Sequence, residues 1–557
     1  MFKAASAALV RAFVNNFGLW FFIGFQILIS WILLSHRTGN IPVGFDDVYS
    51  YLYGIKKVLL YGTPVPNVVN FYPEAHLDYV SYNAIFGYLA RALSLEPERL
   101  FYLSFYFGKI ILGIVFYWWL KSLNIGSAFR NLCMIFLATY AGNGLIHGFF
   151  WVVPSFWALI VFFALIAINK KLHVPYFLNL IMCLVYINIH PLAKISIVLL
   201  LSYLGIELIF ERTLSKYVLR LFLIMSLAVL LTEAVGCRLA GCRLQTPFEQ
   251  VVDLKDLKPD EISAKDIYFA LVPVNTAKLL PASVTPVFSY LSKIIGQFLI
   301  HISLFWGSVF PGFGGIWKNY ISSFALFYPL FLYFPYWVFR CIKTSSKQVG
   351  YWYLAVLFGI LGLIWIPQDY RLLIFLWPLT IIVFAYGFKL SFEQFRKQTN
   401  ILKKAFHLMG LACLGTYWVY QSSFSLNFVN NISKQNDYAW DNVNCPQYLL
   451  NKTRAEDYNL FFNSFSGISA FTYYGLDQRH LSKTSHLISN FKNIKEAYNK
   501  FYVVSENQYF EGDSDSVYVN DLKSELNHLI GREFTQKWTD CGYFTITEYL
   551  SKDYGSE

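Results

Sequence analysis

The chain has 557 residues, of which 56% are hydrophobic, 19% aromatic and only 14% charged, with a mean hydropathy of +0.43. A soluble domain has no place for that much apolar surface, so the composition excludes one and points to a polytopic membrane protein. The formal charge of +11 does not point to nucleic acid. The basic residues sit mostly in short loops between apolar runs, the positive-inside pattern, and the chain from Phe428 onward is acidic on balance.

Phe17 to Ser35 reads as the first span, uncleaved, with Lys3 and Arg11 holding the N-terminus in the cytoplasm. Residues 36–100 form an external loop. Within it, Tyr49 to Tyr61 and Tyr79 to Leu93 mix aromatic and polar residues at helical spacing and read as interfacial helices. Phe101 to Leu120 returns inward to Lys121 and Arg130. Leu132 to Ile146 and Phe149 to Ile168 form the next pair, ending at Lys170-Lys171. Tyr176 to Ile189 is broken by His190-Pro191, Leu192 to Phe210 comes back to Arg212 and Lys216, and Leu219 to Val235 goes out again. A second external loop covers 236–286, with a short charged helix expected over Asp253 to Asp266. Val287 to Phe310 is apolar but breaks the positive-inside count, so it reads as interfacial or re-entrant. Tyr320 to Phe339, Tyr351 to Ile366, Leu372 to Phe388 and Ala405 to Ser422 complete about eleven spans. Residues 1–426 thus form a transmembrane domain and 427–557 an external soluble α/β domain. In that tail, strands are expected at Leu460 to Asn463, Phe501 to Ser505 and Tyr543 to Tyr549, and a helix at Val519 to Ile530.

Eight cysteines are present. Cys133, Cys183, Cys341 and Cys413 fall in or beside apolar runs. Cys237 with Cys242, and Cys445 with Cys541, fall in polar regions, where each pair is either a disulfide or two thiols.

Four groups of residues carry chemistry. Asp46 and Asp47 stand together just after the first span. One carboxylate can act as a base on a hydroxyl within hydrogen-bond reach, while either can cap the helix that begins near Val48. Glu74, His76 and Asp78 alternate along Pro73 to Asp78, which aligns them on one side of an extended segment. They suit a metal site or a contact with the active site, unless they belong to an ordinary solvated loop that anchors an interfacial helix. Tyr370 and Arg371 lie in the tight external turn Pro367 to Arg371. A guanidinium there is matched to a phosphate, unless it pairs with Asp369 or snorkels. His190 and Lys194 lie about one helical turn apart at an external span end. Phosphate-loop, GxSxG and HExxH patterns are absent.

An acidic pair in the first external loop, interfacial helices after it, an external Arg between late spans and an external α/β tail together resemble the GT-C class of membrane glycosyltransferases. The segment Asp369 to Leu373, with Pro378 further on, is similar to an Arg-Tyr-Leu-Leu-Pro-like signature of that class. The Tyr and Arg are reversed here and the proline is displaced. The resemblance implies a mostly α GT-C bundle and a sugar donor carried on polyprenyl phosphate. The acceptor would be a glycan, lipid or protein hydroxyl. Asp46 or Asp47 would be the base, with Asp46 slightly favoured, and Arg371, then Lys194, would face the departing phosphate. Some branches use a divalent cation at the acidic pair and others use none, so no cofactor is assigned. The expected location is a bacterial inner membrane, with the C-terminal domain periplasmic. A glycan polymerase or ligase using a diphosphate-linked donor, and a lipid or solute transporter, stand as alternatives; the transporter predicts matched broken helices.

Overall fold

The computed structural model describes residues 15–35, 48–62, 80–139, 149, 152–172, 174–240, 329–344, 346–362 and 373–440 of the helical region. In the tail it describes 459–462, 481–483, 500–506, 534–540 and 544–552. Two compact units emerge. One contains residues 1–30 and 105–429, the other residues 31–104 and 430–557.

The helices are α1 (Phe17–Ser35), α2 (Val48–Tyr61), α3 (Val80–Leu93), α4 (Pro97–Ser122), α5 (Ser127–Ala138), α6 (Pro154–Lys171), α7 (Tyr176–Ile187), α8 (Leu192–Glu211), α9 (Lys216–Ala240), α10 (Pro329–Ile342), α11 (Lys347–Gly362), α12 (Leu373–Lys397) and α13 (Ile401–Trp440). Among the described residues five of these, α1, α4, α6, α8 and α12, are long and apolar enough to cross a bilayer, and α5 and α7 are shorter apolar helices. The chain is an integral membrane protein built mostly of helices.

Prolines and left-handed residues set the helix ends. Pro154 occupies the first turn of α6, where its missing N–H costs nothing and its fixed φ suits the helix. Asn124 at φ 60° and Arg212 at φ 54° end α4 and α8 in the left-handed conformation, and the Arg212 N–H closes on the Leu208 carbonyl at 3.1 Å. Several helices outrun the apolar stretch that signals them. α5 begins at Ser127 rather than Leu132 because Arg130 stays inside it, its guanidinium 4.5 Å from the Tyr117 ring centroid and donating to the Ile125 carbonyl. α11 begins at Lys347, which pairs with Glu211 at 2.8 Å. α9 continues through Cys237 to Ala240, and α13 runs unbroken past Ser422 to Trp440.

α12 is central to the first unit. Every residue from Leu373 to Gly387 is buried, as a helix apolar all round must be. Aromatic contacts fill the surrounding core: Phe162 meets Trp352 and Phe375, and Trp337 and Tyr417 meet Phe384. Gly387 lies so close beneath the Trp337 indole that a Cβ would collide with it. One polar pair is closed on itself inside this core: the Asn169 and Asn179 amides exchange hydrogen bonds of 3.1 and 2.7 Å.

One end of the bundle gathers the cations. The ends of α4, α6 and α8 and the start of α11 lie there, joined by Lys171 to Asn124, Lys170 to Gln348 and Lys347 to Glu211, and α12, whose midpoint Tyr386 reaches Thr344, runs on past them to Arg396 and Lys397. The start of α1 meets the same end, because Gly18 packs on the Asn131 backbone of α5. Cys133, Cys183, Cys341 and Cys413 are free thiols within helices, as their apolar settings lead one to expect. Cys242, Cys445 and Cys541 lie outside the described residues, as do residues 241–328 with their expected helix at 253–266 and the segment 287–310.

In the second unit the tail forms a five-stranded mixed sheet in the order β2-β1-β3-β5-β4. The strands are β1 (Asn459–Phe462), β2 (Leu481–Lys483), β3 (Lys500–Glu506), β4 (Phe534–Asp540) and β5 (Phe544–Ser551). β2, β1 and β3 run parallel; β5 and β4 add an antiparallel hairpin, with Val503 opposite Thr547. Residues 463–480 and 484–499 join the parallel strands and have the length a crossover needs. Phe501 stacks on Tyr549 at 5.0 Å, and burial pushes the Tyr549 phenol up to about 12. Sequence reading finds β1, β3 and β5 and misses β2 and β4; the expected helix at 519–530 lies outside the described residues.

Candidate functional site

Two helix pairs, one in each unit, carry the neighbourhood of the candidate residues. The first is α2 with α3. Tyr51 meets Tyr82 edge-on with ring centroids 5.9 Å apart, Gly54 lies against Asn83, Val58 against Gly87, and the Tyr88 hydroxyl donates to the Gly62 carbonyl at 3.1 Å. The partners advance together along both helices, so the helices run parallel. Their first residues, Val48 and Val80, therefore lie at the same end. In the sequence Asp47 immediately precedes Val48, and Asp46 and Asp78 each stand two residues before a helix start. Asp46, Asp47, Glu74, His76 and Asp78 themselves lie outside the described residues.

The first turn of α3 adds two polar groups that sequence reading passes over. The Tyr82 hydroxyl and the Asn83 side-chain oxygen are buried and meet no hydrogen-bond partner among the described residues, and burial drives the Tyr82 phenol far above its ordinary value, so it stays protonated. A buried donor and acceptor left open cost free energy unless something meets them. Their position, within one turn of the end where the carboxylate segments join, makes them candidates for holding an acceptor or a neighbouring carboxylate.

The second pair is α8 with α12, on either side of α11. α8 and α11 are antiparallel: Glu211 meets Lys347, Tyr203 packs on Trp352 with ring centroids 4.2 Å apart, and Gly359 lies against Leu199. α12 is antiparallel to α11 in turn: Phe375 near its start shares the Phe162 ring with Trp352 of α11, and Tyr386, midway along it, reaches Thr344 just before α11 begins. Hence α8 and α12 both start at the end opposite the cation-rich turns. Lys194 is in the first turn of α8, and Arg371 stands two residues before Leu373, the first residue of α12. Tyr370 and Arg371 lie outside the described residues.

His190 and Lys194 are both described. His190 is buried, and its Nδ1 accepts the Leu192 N–H at 3.0 Å. The Ala193 and Lys194 N–H groups are taken by the carbonyls of His190 and Pro191. His190 is thus a capping residue for α8, and the first N–H groups of α8 are not open to a ligand. What this end offers an anion is the helix dipole and the half-exposed Lys194 side chain.

A third feature was not signalled by any motif. Lys109, midway along α4, is fully buried, and its Nζ meets no hydrogen-bond partner among the described residues. α1 and α4 are antiparallel: Ser30 donates to the Phe105 carbonyl at 2.9 Å, and Phe22 packs on Gly113. Halfway between those contacts Lys109 comes level with Gln26. The Gln26 amide donates to the Ala138 carbonyl at 2.7 Å, and its oxygen is also unpartnered. A single Lys in an apolar run gives no periodic signal, which is why the sequence alone does not single it out.

Among the described residues no three His, Cys, Asp or Glu side chains come together as a metal site. The ligand types that would suit a divalent cation are those of residues 46–47 and 74–78, outside the described set, so no step is drawn through a metal.

No family model and no curated protein matches the chain in sequence. Solved structures do match its architecture. The oligosaccharyltransferase AglB from Archaeoglobus fulgidus, in complex with an inhibitory peptide and a dolichol-phosphate, aligns over 98% of this chain and 75% of its own with 12% identity and a TM-score of 0.52. The A. fulgidus oligosaccharyltransferase tethered to an acceptor peptide containing the NVT sequon aligns over 97% and 74%, with 12% identity and a TM-score of 0.51. ArnT from Cupriavidus metallidurans, bound to undecaprenyl phosphate, aligns over 97% of this chain and all of its own, with 11% identity and a TM-score of 0.46. At such identities the likeness speaks to architecture alone: this chain has a fold similar to that of the archaeal oligosaccharyltransferase.

Proposed function

We propose that the chain is a membrane glycosyltransferase. It moves a sugar from a polyprenyl-phosphate carrier to an acceptor hydroxyl on the face opposite its cation-rich turns. That face would be external, in a bacterial inner membrane. Asp46 or Asp47 is the general base. The observation that supports this reading is the parallel packing of α2 and α3, whose first residues Val48 and Val80 lie at one end and each follow an acidic segment in the sequence. A shared end lets one carboxylate take the acceptor proton while another orients the hydroxyl, with the Tyr82 hydroxyl as a fixed donor beside them.

The anomeric carbon is attacked by the acceptor oxygen, the bond to the lipid phosphate breaks, and the phosphate leaves with its charge. Positive charge aimed at that oxygen stabilises the departure. Arg371, with Lys194 at the same end of the first unit, supplies it in this reading, Arg371 foremost because its fork fits two phosphate oxygens. The complex of AglB with a dolichol-phosphate supports a polyprenyl-phosphate lipid as the carrier.

The test is sugar transfer by purified protein in lipid nanodiscs, with Asp46→Asn and Asp47→Asn measured separately. Loss of a general base costs about 10²–10⁴ in turnover, so at least one variant should lose that much while its melting temperature holds. Full turnover in both would remove the acidic pair from the chemistry.

A further inference from the structure

The elbow between α12 and α13 has a composition that neither packing nor the proposed chemistry uses. Arg396 and Lys397 close α12, and Lys403 and Lys404 stand in the first turn of α13. All four are exposed. No acidic residue occurs between Glu393 and Asp437, and among the described residues none of the four meets a carboxylate. Glu393 itself faces Lys389 at 3.9 Å.

Lys403 and Lys404 sit at the positive end of the α13 dipole, where a cation is unfavourable. The helix start is already capped: the Asn400 side-chain oxygen accepts the N–H groups of Leu402 and Lys403 at 3.0 and 3.2 Å. The α10 terminus adds more of the same sign. Tyr333 of α10 donates to the Phe406 carbonyl, and Arg340 and Lys343 follow it at the end of that helix. Arg340 acts electrostatically on His407 of α13, so five cations lie at or beside the elbow, and among the described residues none of them pairs with an acid.

Apolar side chains are interleaved with this charge. Residues 401–406 are exposed on every side of the helix, with Ile401 80% and Leu402 77% exposed. A solvated surface would not carry both at its tip. The combination fits a headgroup boundary, where apolar side chains enter the acyl region and Lys and Arg reach back to phosphates. Lys404 lying over the Phe395 ring at 5.1 Å and Arg396 over Phe392 at 5.9 Å keep the charges beside apolar surface.

We infer that the α12–α13 elbow is a binding site for an anionic phospholipid of the leaflet at the cation-rich end, its phosphodiester held by Arg396, Lys397, Lys403 and Lys404 and its acyl chains lying over Ile401 and Leu402. This site is independent of the sugar-transfer reading.

The experiment is native mass spectrometry of the delipidated full chain titrated with phosphatidylglycerol or phosphatidylcholine. The unaltered protein should prefer phosphatidylglycerol. Lys403→Gln/Lys404→Gln should weaken phosphatidylglycerol binding about tenfold or more, from the contribution of each basic residue near an anionic surface. Phosphatidylcholine binding should hold, and so should the melting temperature in lipid-free detergent. Arg396→Gln/Lys397→Gln provides a second variant should the first lose its fold. Lys121→Gln/Lys216→Gln, which removes the same charge from other turns at that end, should leave binding intact. Equal binding of the two lipids by the unaltered protein, undiminished binding by a folded elbow variant, or an equal loss in the Lys121/Lys216 control would each overturn the assignment.

Discussion

Gly87→Ala tests whether the parallel α2–α3 pair sets the reaction geometry. A Cβ on Gly87 would stand 2.5 Å from the Val58 Cβ and 2.6 Å from its Cγ1, whereas carbon atoms in good contact sit at about 3.5–4.0 Å. The helices must part locally by about 1 Å. Overpacking of that kind costs about 1–3 kcal/mol, offset by about 1 kcal/mol from the better helix propensity of Ala, so the variant should fold. Catalysis is less tolerant, since a 1 Å misplacement can cost about 10²-fold. Initial rates of sugar transfer should show kcat down about ten- to a hundredfold, with the dependence on lipid donor concentration unchanged because Arg371 and Lys194 belong to the other unit. Adding Val58→Ala makes room for the new methyl group and should restore most of the rate. Gly415→Ala, where a Cβ meets nothing within 4 Å, is the control. Full kcat in Gly87→Ala, or no recovery in Gly87→Ala/Val58→Ala, would refute the argument that this contact positions the carboxylates.

Arg371→Ala should weaken use of the lipid donor, and Lys194→Ala should do so by less; unchanged turnover and donor dependence in Arg371→Ala would take that residue out of the phosphate site. Lys109→Met removes an unpartnered buried donor while keeping its apolar stem, so it should hold or raise the melting temperature, by the equivalent of about 1–3 kcal/mol at most; a clear drop would show that Lys109 meets a partner in the working protein. Labelling of Cys445 by an impermeant maleimide should occur from the external side, and labelling solely from the cytoplasm would invert the orientation.

Sequence patterning reaches the helices through their apolar runs, and it reaches the cation-rich turns because Lys and Arg are rare enough elsewhere to stand out. It reaches α2 and α3 within a residue or so, although they are amphipathic and short. It does not reach their parallel packing. That depends on Gly54 and Gly87 allowing close approach to Asn83 and Val58, and a glycine in a helical run does not announce its partner. His190 shows a different limit. Its place at a span end suggests ligand binding, yet its Nδ1 caps the Leu192 N–H, a role that only backbone geometry reveals. β2, with three residues, is too short for alternation to register, and β4 reads Phe-Thr-Gln-Lys-Trp-Thr-Asp, polar enough to pass for a loop.

The direction of α2 relative to α3 also bears on how a carboxylate stays a usable base. Helices adjacent in sequence most simply pack antiparallel through a short turn; a parallel pair requires a longer connection. Closing a longer loop costs little, since each doubling adds about 0.6 kcal/mol, and the arrangement brings two helix N-termini side by side. Each carries partial positive charge, worth about 0.3–1 kcal/mol to a nearby anion. In the proposed reading, a carboxylate joined to such an end is helped to stay ionised beside an anionic lipid-phosphate donor, whose field favours its protonation. The same dipoles lower its basicity, so two N-termini close by favour a modest shift over the stronger one a full cationic partner would impose.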